Sequence, residues 1–140
     1  MNMGTKILRG TLSGGIVYFL LGWLVYGILL SDFMMSNYNQ CANRPQAEMV
    51  WWALIASNLA YALLLTLILN WSGASGIIDG LKTGALFGFL YAVNIDLSFY
   101  SMTTMFNSFS PVVIDIIITT LMSTVIGAVI VLLWGKNKTT

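Results

Sequence analysis

Histidine is absent from the 140 residues, cysteine occurs once, proline twice, and charged side chains make up 8% of the chain. Each scarcity excludes something. Without histidine the usual zinc ligand sets, the Ser-His-Asp and Cys-His nucleophile systems and the common neutral-pH titrating group are missing. Six basic and five acidic residues leave a net charge of +1, too weak a field to hold nucleic acid by its phosphates. A lone Cys41 forms no internal disulfide, which leaves a free thiol or half of an intermolecular bridge.

What the chain has in place of charge is hydrocarbon. Hydrophobic residues reach 58%, whereas a soluble domain carries about 25% charged side chains. Four spans of roughly 22 residues would use about 88 positions and leave too little for a separate soluble core. The sequence therefore predicts one integral membrane domain over residues 1–140, with the lipid bilayer as its first partner. A soluble helical bundle would need a polar stripe on each helix, and none is present.

The first apolar run covers residues 7–30, interrupted only by Arg9, and is too long for the core of a signal peptide. Residues 32–47 contain Asn37, Asn39, Gln40, Asn43, Arg44 and Pro45 and read as the one substantial loop, with a mobile tip. The second span, residues 48–70, is flanked by Trp51 and Trp52 at one end and Trp71 at the other. From Trp52 to Trp71 a helix rises roughly 28 Å, close to the hydrocarbon thickness, as expected of an interfacial aromatic belt. Ser72, Gly73, Ala74 and Ser75 make a tight connection into a third span, residues 76–101. A polar patch with Thr103, Thr104, Asn107, Ser108 and Ser110 then precedes Pro111, suited to open a fourth helix over residues 111–134.

Basic residues in short loops stay on the cytoplasmic side. Lys6, Arg9, Lys82, Lys136 and Lys138 fall on one side of a four-span arrangement, with only Arg44 opposite. Both termini are thus expected in the cytoplasm. The glycosylation tripeptides Asn70-Trp71-Ser72 and Asn137-Lys138-Thr139 fall on that same side and read as accidental.

The third span carries Gly76, Gly80, Gly84 and Gly88 at intervals of four, continued by Ala92 and Asp96. Glycine costs about 1 kcal/mol of helix propensity against alanine, so this regularity needs a packing reason. In lipid, close approach of backbones through small residues is a main source of helix association. The row predicts a contact groove, either within one subunit or between subunits of a homo-oligomer. The fourth span offers a matching series, Asp115, Thr119, Ser123 and Gly127, and antiparallel packing would set Asp115 beside Asp96. Gly10 and Gly14, and Ala56 and Ala60, are weaker instances that read as contacts between neighbouring helices.

Asp96 lies about 21 Å along the helix from Lys82, which places it in the outer third of a bilayer. Intramembrane acids are usually paired, protonated or functional. Asp96 and Asp115 could share a proton or a cation, because adjacent carboxylates resist simultaneous ionisation, with Asn94 helping to solvate Asp96. The alternative is that each reaches the headgroup region and caps its helix. No base lies at that depth unless Arg44 folds back. Asp79 and Lys82 read as a local ion pair. Met34, Met35, Met49, Met102 and Met105 lie near Cys41 on the outer side, either as soft ligands for Cu(I) or as packing filler; no metal or other cofactor is expected.

Gly22, Trp23, Tyr26 and Gly27, the segment Asp79-Gly80-Leu81-Lys82-Thr83-Gly84, Gly88, the Ile114-Asp115 pair and Gly127 resemble a bacterial family of small four-span membrane proteins catalogued as domain of unknown function seventeen-sixty-one. The resemblance implies a four-helix bundle in the bacterial inner membrane. It brings no established activity and so no functional residues.

The sequence thus predicts an all-α, four-helix transmembrane bundle. Its first functional reading is a non-enzymatic subunit acting through lateral helix contacts in a homo-oligomer or larger membrane complex. The second is a small proton- or cation-handling channel or transporter using Asp96 and Asp115. An intramembrane acid-base enzyme ranks behind both, since no substrate pocket is legible.

Overall fold

A computed structural model of the chain describes residues 1–135, so Lys136, Lys138 and the second glycosylation tripeptide lie outside the described residues. The architecture is helical: α1 (Met3–Leu24), α2 (Ser31–Asn37), α3 (Trp51–Trp71), α4 (Ile77–Met102) and α5 (Ser110–Trp134). Four helices are long and apolar enough to cross a membrane, the first running through α1 and its continuation over Met3–Leu29. We call the end holding Lys6, Lys82 and Trp134 basal and the opposite end apical.

The helix boundaries have local causes. The Asn2 side chain accepts a hydrogen bond from the Thr5 N–H at 2.8 Å, so α1 starts four residues earlier than the apolar run. The Asp79 carboxylate accepts from the Ser75 and Gly76 N–H groups at 3.0 and 3.2 Å. It caps α4, which corrects its expected role as a partner of Lys82. Pro111 sits in the first turn of α5, where its missing N–H costs nothing. Gly73 and Gly135 adopt φ of 70° and 75° at the ends of α3 and α5, a conformation that side chains resist. Past Leu24 the first helix widens into a π-turn, Val25–Leu29, closed by the Leu30 N–H on the Val25 carbonyl at 2.8 Å.

The four long helices run up, down, up and down as two close pairs, α1 with α3 and α4 with α5, and α1 also packs on α5. The two seams differ in kind. A Cβ added to Gly80 would lie 2.5 Å from the Gly127 carbonyl oxygen and 3.0 Å from the Ala128 Cα. Likewise Gly84 faces the Ser123 backbone, and Gly88 faces the Ser123 side chain and the Thr119 carbonyl. Backbone touches backbone along α4 and α5. In the α1–α3 seam, Gly10 and Gly14 meet side chains instead, Thr66, Ala62 and Ile130. Ala56 and Ala60, expected in such a contact, are exposed; Ala62 and Thr66 take that place, because they lie on the face turned toward α1.

Large side chains fill the space between the pairs. Leu65, Leu69, Ile126 and Ile130 are fully buried. Tyr61 of α3 touches every other long helix: its ring lies 4.4 Å from that of Tyr18, 5.0 Å from those of Phe87 and Tyr91, and its hydroxyl bonds Ser123. Outward faces are apolar, with Leu8, Leu12, Ile16, Leu20 and Trp23 exposed along α1. Trp51, Trp52 and Trp71 are exposed at the two ends of α3. At the basal end the Trp134 indole N–H donates to the Lys6 carbonyl at 2.9 Å, with the Lys6 ammonium 4.5 Å from the ring centroid.

The predicted loop after the first span is partly helical. It folds as α2 and two 3₁₀ turns, Gln40–Ala42 and Gln46–Glu48. Its polar side chains close its own backbone: Asn39 accepts from the Cys41 N–H, and Gln40 donates to the Met34 and Tyr38 carbonyls. Tyr38 forms an isolated antiparallel bridge with Phe106, their rings 5.0 Å apart. This apical cap buries Tyr38, Phe106 and Val112 with Met34 and Met105 packed against them.

The seams predict unequal tolerance. Gly84→Ala drives a methyl into backbone and should lower stability by about 2 kcal/mol or more, and Gly84→Leu should separate α4 from α5. Gly22→Ala, where nothing lies within 4 Å, should be neutral or gain up to about 1 kcal/mol of helix propensity. Thermal unfolding in detergent checks the ranking, and equal melting of Gly84→Leu and wild type would refute the contact.

Candidate functional site: a carboxylate pair in a tyrosine-lined cavity

The α4–α5 seam continues upward into the site. Spacing by four carries the α4 row from Gly80 through Gly84, Gly88 and Ala92 to Asp96, all buried on one face. The α5 row runs the opposite way from Gly127 through Ser123 and Thr119 to Asp115. Backbone contact at the lower rungs fixes the rotation of both helices, so the top rung brings the two acids together. Side chains grow along the rows, and a cavity of about 330 Å³ opens where the seam ends.

Asp96 and Asp115 adjoin one another on its wall. Asp96 is 5% exposed, and its Oδ2 atom is buried without a hydrogen-bond partner among the described residues. The half-buried Asp115 is better supplied: the Tyr26 hydroxyl donates to its Oδ1 at 2.6 Å. Tyr26 also lies 3.4 Å from the Thr119 hydroxyl. The remaining wall is Tyr18, Tyr91, Ala92, Ile95 and Met122.

Tyr38, in the apical cap outside the long helices, adjoins the acids from above. Burial raises its phenol beyond the usual range, and the charges of Asp115 and Asp96 add to the effect. It is therefore neutral at physiological pH and able to donate a hydrogen bond. No lysine or arginine lines the cavity.

Several sequence-derived candidates belong elsewhere. Gly76 is the exposed residue preceding α4, with only the Asp79 carboxylate near its Cα, at 4.0 Å from a built Cβ. It is a cap and not a rung. Asn94 is exposed and does not line the cavity, because two residues along a helix turn a side chain roughly 200° away. Arg44 is exposed and absent from the wall, so no base folds back onto the acids. Met34 and Met105 pack against the cap core, Met49 is half-buried, and Met35, Met102 and Cys41 are exposed. Among the described residues no group of three or more His, Cys, Asp or Glu could hold a metal ion.

Tyr18, Tyr26, Tyr38 and Tyr91 carry no motif that marks them as site residues. Tyr18 on α1 and Tyr26 in the π-turn that follows it, two turns apart, carry a weak signal, but nothing local to them specifies that the first long helix docks against the Asp115 face of α5. No family, curated protein or solved structure matches the chain, so the chemistry rests on this geometry.

A buried carboxyl oxygen without a donor is expensive unless a proton or cation supplies the missing partner. Beside it stands a second carboxylate already held by a phenol. Such a pair can hold one positive charge between its members. Removing the phenolic donor tests the construction. Tyr26→Phe should cost about 1–3 kcal/mol of stability and shift the Asp115 carboxyl stretch in infrared difference spectra. An unchanged spectrum would show that the Tyr26–Asp115 bond does not form.

Proposed function

We propose that the protein is a multi-pass inner-membrane protein with both termini in the cytoplasm, and that it handles protons or cations through Asp96 and Asp115. Membrane residence is supported by the apolar outward faces and by the tryptophans at both ends of α3. Orientation is supported by Lys6, Arg9 and Lys82 at the basal end, following the positive-inside rule. The observation that carries the functional reading is the unpartnered Asp96 oxygen, buried opposite Asp115 on a cavity wall without a base. Asp96 is too deeply buried for a headgroup-solvated cap.

In this reading Asp115, steadied by Tyr26, is the fixed anion, and Asp96 is the partner that takes up and gives back the charge. Four helices around one bundle enclose little more than side chains, so passage across the membrane calls for a homo-oligomer or a second membrane protein. Gly80, Gly84, Gly88 and Gly127 are occupied within the subunit, so such contacts would use another face. The exposed Ala56 and Ala60 on α3 favour a second reading, a non-enzymatic subunit acting only by lateral association. That protein would co-purify with a partner and tolerate loss of the acids.

Proton flux into liposomes holding a trapped pH dye separates the two. The wild type should exceed protein-free vesicles, and Asp96→Asn and Asp115→Asn should each fall to that background; unchanged flux in both variants would overturn the proposal. Orientation has its own test at Cys41, exposed near the apical end. A membrane-impermeant maleimide should label it on intact cells, and labelling only after lysis would reverse the topology.

A further inference from the structure

The cavity around the acid pair is larger and more aromatic than a proton site requires. We propose that it binds a quaternary ammonium ion, with the charge set against Asp96 and Asp115 and the alkyl groups against Tyr18, Tyr26 and Tyr91. The proposal rests on the reading of the pair as a cation site and names the class of cation.

Three observations converge. The first is sign: two acids and no base line the cavity, and Asp96, 95% buried, carries an oxygen with no hydrogen-bond partner. An anion finds nothing there. The second is size. The volume of about 330 Å³ equals the share of roughly ten waters at about 30 Å³ each, and falls within the range of organic ligand sites.

The third is the chemistry of the wall. A hard inorganic cation takes six or more oxygen ligands or retains its water, and it gains nothing from the apolar part of the wall, Ala92, Ile95 and Met122. A quaternary ammonium ion has no N–H to satisfy, spreads its charge over alkyl groups and sheds water easily. Tyrosine rings attract it through their quadrupole. These rings are also held in place beforehand. Tyr18 and Tyr91 pack on Tyr61 at 4.4 and 5.0 Å, and Tyr26 is anchored through its hydroxyl on Asp115. Such preorganisation lowers the ordering cost of binding.

Calorimetric titration of the full chain in maltoside micelles tests this with tetramethylammonium, its neutral look-alike tert-butanol, and sodium. Tetramethylammonium should bind at least about tenfold tighter than either comparator. Tyr91→Leu should weaken it by about tenfold and Tyr91→Phe by less than about threefold, since only the ring is needed. Equal binding of all three probes by the wild type would overturn the inference without recourse to any variant, as would equal losses in the two variants.

The trimethylammonium of a phosphatidylcholine headgroup has the same chemistry. Repeating the titration in phosphatidylglycerol nanodiscs with and without phosphatidylcholine identifies the source: competition points to the lipid, and its absence to a soluble ion. If Asp96→Asn abolishes proton flux while the wild type shows no preference for tetramethylammonium, this inference fails and the acid-pair reading stands. If neither effect appears, both fail.

Discussion

Backbone contact between α4 and α5 is the constraint from which the site follows. Where Gly80 and Gly84 lie against the backbone at Gly127 and Ser123, no side chain can buffer a change in helix rotation. Rotation and register are then fixed together, and every fourth residue above the contact inherits a set partner. Asp96 and Asp115 are the last rungs of that ladder. Their pairing costs desolvation of two carboxyl groups, which an ordinary side-chain interface could relieve by slipping. This interface cannot slip without driving carbonyl oxygens into one another.

The other close seam has a different tolerance. Gly10 and Gly14 of α1 meet the side chains of Thr66, Ala62 and Ile130 and no partner backbone. Rigid placement is thus concentrated where the acids are, and the softer contact lies on the side that carries Tyr18 and Tyr26. Tyr61 joins the two halves by reaching Tyr18, Phe87, Tyr91 and Ser123 together. The apical cap packs Tyr38 on Phe106, and Tyr38 adjoins the acids.

Much of this was legible in the sequence for physical reasons. Apolar runs of membrane length have few alternatives, and glycine at every fourth position of a helix is too costly to lack a contact. The antiparallel reading of the two rows placed the acids at one level. Gly76 shares the spacing of the row yet lies outside the contact, because the helix begins one residue later with Asp79 folded back as its cap, which spacing alone does not reveal. Asn94 is close to Asp96 in sequence, but helical periodicity points it away. Ala56 and Ala60 share the interval of the glycines without their propensity cost, so their spacing carried less information. The tyrosines were illegible because they reach the acids from another helix, and the docking of α1 depends on contacts scattered over three segments. The Asn- and Gln-rich connection looked structureless for a related reason: its amides bond its own backbone, which composition does not disclose.

The π-turn of Val25–Leu29 contains Tyr26, the phenol on Asp115. Such turns hold one residue more than the α-helical ladder needs, and contracting one to α geometry rotates the flanking segments by about 100° relative to each other. The first long helix therefore carries its one extra residue at the level of the acids. Such a contraction would swing the phenol off the carboxylate while Gly10 and Gly14, three to four turns below, kept their seats against α3.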